Sequence, residues 1–112
     1  MELREERVGD VLVVELKGRL DTTTAPTLEA KLTTALAAPA TRLIADMRQL
    51  DYISSAGFRV LLIAAKRADE TGARFALCGL SGKVRQLFEL GGFLDLVPIS
   101  ASREDALEAM RA

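Results

Sequence analysis

After its first ten residues the chain alternates short apolar runs with longer stretches whose apolar residues recur every three or four positions, and this alternation limits the available folds most. Val11 to Leu16 is rich in β-branched residues and is bounded by Gly9-Asp10 and Gly18, so it reads as a strand. Leu3 to Arg7 pairs with it as a short antiparallel edge through the Gly9-Asp10 turn. Arg42 to Met47 reads as a buried strand followed by a loop over Arg48 to Ser54, and Arg74 to Cys78 and Leu96 to Ile99 supply two more strands. Helical patterns fill the intervals. Leu28, Leu32, Ala35 and Leu36 share a face in a helix that Thr24 caps, with Pro26 in its first turn, and Pro39 stops the run. Phe58, Leu61, Leu62, Ala65 and Ala68 share another between Ser55 and Gly72. Ser81 caps a third helix that ends at Gly91-Gly92, and Ser102 to Met110 forms a fourth, with Asp105 completing a pattern like a capping box. Strands and helices in alternation imply βαβ units. The expectation is an α/β fold: one domain over residues 1–112, with a mixed, mostly parallel sheet of four to five strands and about four helices.

Charge and residue usage narrow the function. Fifteen basic against sixteen acidic side chains leave a net charge of −1, which argues against a nucleic-acid surface or a polybasic membrane anchor. The sequence contains no histidine, so Ser-His and Cys-His nucleophile pairs, imidazole shuttles and Cys/His zinc sites are all excluded. A single cysteine, Cys78, makes no intramolecular disulfide, sits in a strand expected to be buried, and fits a reducing compartment. No apolar run reaches the roughly 18–20 residues that span a bilayer, and Met1 to Asp10 is charged rather than signal-like. A cytoplasmic protein is expected, with no metal or cofactor of its own and no catalytic residue. The enzyme alternative is a serine hydrolase, for which only a lysine such as Lys66 would be left as base.

The segment from Asp46 to Lys66 carries the chemistry. Ser54, Ser55, Ala56 and Gly57 stand where a helix begins, and their small side chains leave the first-turn N–H groups uncovered. Two readings fit. One is a serine cap followed by a small-residue packing contact. The other is a hydroxyl that accepts a phosphoryl group, since a phosphate is best tolerated at such a helix start. Gly18-Arg19-Leu20-Asp21 has two readings as well: a charged turn at the end of a strand, or a carboxylate that the parallel sheet brings close to Ser55. Lys83, Arg85 and Gln86 form the polar side of the third helix, either a solvated face or the edge of a docking surface.

With these residues in view, the chain resembles the STAS-domain anti-sigma factor antagonists, bacterial proteins also called anti-anti-sigma factors. The family hallmark, Asp-Ser-(Ser/Thr/Ala)-Gly-Leu-Gly after an apolar pair, corresponds to Ser54-Ser55-Ala56-Gly57-Phe58-Arg59 after Tyr52-Ile53. The Gly-(Glu/Asp)-(Leu/Ile)-Asp signature corresponds to Gly18-Arg19-Leu20-Asp21, with Ala25-Pro26 following, and the Leu-x-Leu-x-x-Leu segment resembles Phe75 to Leu80. The resemblance implies that Ser55 is the phosphorylated serine, with Ser54 as second candidate. It also implies a partner surface of Asp21, Ser54, Ser55, Ala56, Gly57, Phe58 and Arg59. Two departures stand out: Ser54 replaces the family's aspartate, and Arg59 its second glycine. What the resemblance implies for function is partner switching. The unmodified antagonist captures an anti-sigma factor and frees the sigma factor. That anti-sigma factor is also a serine kinase, which escapes by phosphorylating the antagonist, and a metal-dependent serine phosphatase resets the switch. ATP and magnesium would belong to the partner, and nothing in this sequence resembles a Walker loop. The alternatives are the same switch controlling secretion, motility or a stress-sensing assembly, or a STAS subunit of a transport system.

Overall fold

The computed structural model describes residues 1–92 and 95–111, and its five strands lie in one sheet in the order in which the chain makes them. β1 (Glu2–Val8) runs antiparallel to β2 (Val11–Leu20). β3 (Arg42–Ile53), β4 (Arg74–Cys78) and β5 (Ile99–Ser100) then add in parallel. Four helices connect or follow them: α1 (Ala25–Leu36), α2 (Ser55–Thr71), α3 (Gly82–Leu90) and α4 (Arg103–Arg111). The fold is therefore the expected α/β arrangement, a mixed sheet with a single antiparallel edge strand.

Alternating side chains divide the core between the two faces of the sheet. Val14, Leu16, Leu43, Ala45, Phe75 and Leu77 pack with α1 and α2, where Leu28, Leu32, Leu36 and Leu61 are almost completely buried. Each buried leucine of that kind contributes roughly 1.5–3 kcal/mol. On the other face Val11, Val13, Ile44, Ala76 and Cys78 meet only Ala106 and Met110 of α4 as buried partners. That thinner layer is reinforced by charge. Asp46, 1% exposed, points from β3 into this face. The Arg103 guanidinium bonds it at 2.9 Å through Nε, while Nη2 reaches Glu15 of β2 at 2.9 Å and Nη1 reaches Glu6 of β1 at 2.6 Å. At the far end of α4, Arg74 donates to the carbonyls of Met110 and Ala109. Burial, and after it the Asp46 charge, pushes the Cys78 thiol up to about 12, so it stays a protonated packing group.

Three local expectations are corrected. The segment Arg48 to Ser54 is not a loop: β3 continues through Ile53 because β2 continues beside it to Leu20. Pairing with β4 ends at Asp46, so this extension is a two-stranded ribbon, bulged near Lys17 and Gly18, and its polar residues face water. The last strand is not Leu96 to Ile99 but only Ile99–Ser100, since Pro98 has no N–H to donate and offers only its carbonyl to Leu77. Thr24 occupies the N-cap position of α1 without a side-chain cap bond. Its hydroxyl instead donates to the carbonyl of Arg19 and accepts from the Asp21 N–H, so it braces the turn that leads into the helix.

Candidate partner-binding site

The ribbon formed by the ends of β2 and β3 carries α2 on its tip. Ser54 leaves β3 in an extended conformation, and its N–H donates to the Leu20 carbonyl at 2.8 Å. Its Oγ accepts from the Gly57 N–H at 3.2 Å, and its carbonyl accepts from Phe58, which closes the first turn. Gly57 then rests directly on β2. A Cβ there would lie 2.5 Å from Leu20 Cγ and 3.0 Å from the Leu20 carbonyl oxygen, so no larger residue seats the helix in this position. The first-turn N–H groups expected to be uncovered are thus partly used, and both the cap and the packing contact read from the sequence are present. Ser55, the first residue of α2, is exposed, and its hydroxyl makes no hydrogen bond among the described residues.

Asp21 ends next to this turn, because Leu20 pairs with Ile53. Its carboxylate, however, is engaged within its own segment. Oδ1 accepts from the N–H groups of Thr23 at 3.0 Å and Thr24 at 3.1 Å, and Arg19 Nε lies 3.9 Å from Oδ2. These contacts, the Thr24 N–H foremost, hold the carboxyl below its ordinary value against an opposing desolvation. The strand ends are therefore neighbours, while the acid that the sequence set beside Ser55 caps its own turn. Arg19 also stacks over Tyr52 at 4.2 Å from the ring centre, which fixes that exposed aromatic on the rim.

Two clefts flank the start of α2. One, of about 400 Å³, is walled by Tyr52, Ile53, Phe58 and Leu87 and opens onto both serines. Phe58 packs against Phe88 with ring centres 4.4 Å apart, tying α2 to α3 and leaving Leu87 and Leu90 toward solvent. The other, of about 340 Å³, lies toward α1 and is lined by Ala25, Pro26, Glu29, Ala56, Arg59 and Ile63. The edge thus combines an exposed hydroxyl with apolar walls and a charged rim, a composition suited to holding a protein surface. Tyr52 reads from the sequence only as half of the apolar pair before the hallmark, and nothing in the sequence shows that Leu87 of α3 stays exposed. Among the described residues no cluster of three or more His, Cys, Asp or Glu is arranged to hold a metal ion, and no helix is long and apolar enough to cross a membrane.

Known proteins share both the sequence and the shape. The sequence profile of the STAS domain matches residues 3–106. BtrV of Bordetella bronchiseptica, assigned by name as an anti-sigma factor antagonist, is 37% identical over 111 residues, covering 99% of this chain and 96% of that protein. The anti-sigma-B factor antagonist of Bacillus subtilis is 30% identical over 95 residues, 85% of this chain and 86% of its own. A crystal structure of an anti-sigma factor antagonist from Mycobacterium paratuberculosis superposes with a TM-score of 0.86 at 25% identity, covering 99% of this chain and 94% of that one. The Bacillus cell fate determinant SpoIIAA in its phosphorylated form superposes at 0.76 and 24% identity, over 98% of this chain and all of its own. A profile that spans nearly the whole sequence, with a relative 37% identical along it, places this chain in the STAS domain family.

Proposed function

We propose that this protein is an anti-sigma factor antagonist that works by partner switching. Unphosphorylated, it binds an anti-sigma factor across Asp21 and the segment Ser54 to Arg59, so that the sigma factor held by that partner is released for transcription. Phosphorylated on Ser55, it lets the partner go. Its work is binding rather than catalysis, it acts in the cytoplasm, and residues 1–112 serve as one STAS domain. The partner doubles as the kinase. The Ser55 Oγ forms a bond to the γ-phosphorus of ATP, the bond from that phosphorus to the β,γ-bridging oxygen breaks, ADP leaves, and the hydroxyl proton passes to a base on the kinase. A metal-dependent phosphatase reverses the change by directing water to the phosphorus, returning the hydroxyl and releasing inorganic phosphate.

One observation carries this reading. Of the two adjacent serines, Ser54 uses its hydroxyl to cap α2, whereas Ser55 presents a hydroxyl that has no hydrogen-bond partner among the described residues and lines the apolar cleft. A kinase reaches the second without undoing the helix start. A phosphate placed there adds about −1.5 to −2 charges where a partner would bury Tyr52 and Leu87. Weakening the interface by roughly 3 kcal/mol lowers affinity about a hundredfold, which is enough for a switch. The names of the relatives and the phosphorylated form of SpoIIAA agree with this reading.

Site mapping by mass spectrometry after incubation with the partner kinase and Mg-ATP tests it. Phosphate is expected on Ser55, with Ser55→Ala unmodified but still bound by the partner in calorimetry. Modification confined to Ser54, or equal affinity of the phosphorylated and unmodified proteins, overturns the proposal.

A further inference from the structure

Arg59 lies one helical turn beyond Ser55, and both are exposed on α2. Residues four apart on a helix are neighbours, with Cβ atoms about 5–6 Å apart. Helical Cα–Cβ bonds tilt toward the N-terminus, so the Arg59 side chain leans back over the turn that holds Ser55. The serine precedes the arginine, the favourable order for an acidic group and a cation. Arg59 has no ion-pair partner among the described residues: Glu29 lines the same cleft but forms no bridge with it. Arg19, by contrast, is already stacked on Tyr52 beside Asp21, and Arg85 is paired with Glu89. Of the first-turn amides, those of Gly57 and Phe58 are used by Ser54. A doubly charged group on Ser55 therefore meets one uncommitted guanidinium at helical spacing.

Resting on the reading that Ser55 is phosphorylated, we infer that Arg59 is the built-in counter-ion of that phosphate. Its guanidinium donates to the phosphate oxygens across one turn of α2, in the forked geometry suited to a tetrahedral anion. Arg59 is thus a positioning residue for the modified state. It holds the phosphate against α2.

The test does not depend on the kinase. Phosphoserine installed at position 55 during translation, in the full chain, is titrated by ³¹P NMR in the otherwise unchanged protein and in Arg59→Gln and Arg59→Lys. The other charges around the site, Arg19 and Asp21 from β2, Asp51 from β3, Glu29 from α1 and Lys83 from α3, are common to all three proteins and cancel in the comparison. With Arg59 present, the second phosphate ionisation is expected about 0.15–0.4 units lower than in Arg59→Gln, with Arg59→Lys in between. Adding 0.5 M salt should shrink the difference as the pair is screened. Identical titrations in the three proteins overturn the inference and leave Ser55 phosphorylation standing. Failure of the kinase to modify Ser55, by contrast, removes the proposed function without touching this measurement.

Discussion

Arg103 and Arg59 both stand early in a helix, and the molecule treats them in opposite ways. Arg103 opens α4 and gathers three carboxylates from three strands, one of them Asp46, which is almost fully buried. Arg59 lies in α2 at the serine edge, in water, and has no ion-pair partner among the described residues. A cation that must neutralise a buried acid belongs to the architecture, because removing it strands a charge in the core. A cation left exposed beside a modifiable hydroxyl is free to meet something that arrives later. The contrast separates what holds this fold together from what it offers to a partner.

Arg103→Met is the severest way to break that contrast. It strands Asp46 and is expected to cost roughly 3 kcal/mol, read by urea unfolding, while partner affinity measured where the variant is still folded stays unchanged. Undiminished stability would show that the three-carboxylate clasp is ornamental. Gly57→Ala tests the opposite region through the backbone. The new methyl drives against Leu20, so a loss of about 1–3 kcal/mol is expected together with weaker partner binding, because the helix start that carries Ser55 must shift. Thermal melts beside calorimetry read both quantities, and a variant as stable and as tightly bound as the parent would mean that α2 does not need this close approach. Asp21→Asn should have the smallest effect, since the amide keeps the acceptor oxygen and loses only the charge. The Asp21 carboxyl ionises below the ordinary aspartate value, so its contribution is present above that ordinary value and fades as pH falls through the lower folded one. The two proteins should therefore differ slightly at neutral pH and converge in acid, as followed by unfolding at a series of pH values.

Local signals were sufficient to expose the α/β order, the serine caps of α2, α3 and α4 and the turn at Gly72, because each depends on neighbours within a few residues. Contacts that join distant segments were less accessible. The polar Arg48, Gln49 and Asp51 read as loop, yet the end of β2 holds them extended, and only the pairing itself reveals that. Asp21 was expected beside Ser55. The backbone does bring the strand ends together, but the short-range amides of Thr23 and Thr24 take the carboxylate first. The clasp on Arg103 went unread even though its signal lies in Leu43 to Met47, where one aspartate in an otherwise apolar buried run requires a cation from elsewhere. At the site, small residues beside the serines suggested close packing, but no pattern in the sequence identifies Leu20 as what Gly57 touches.

The reach of Arg103 has a consequence for how the molecule is finished. Every ladder in the sheet joins strands that follow each other along the chain, so each strand after β1 pairs with one already present upstream of it. Arg103 breaks that local order, since Glu6 lies 97 residues upstream of it and Glu15 lies 88. Asp46 thus meets its ion-pair partner, and the second face of the sheet its helical cover, only in the last element of the fold. Completion of α4 is therefore the event that seals the domain. Without α4, Val11, Val13, Ile44, Ala76 and Cys78 would lose the Ala106 and Met110 that cover them, and Asp46 would lose the guanidinium that pairs with it.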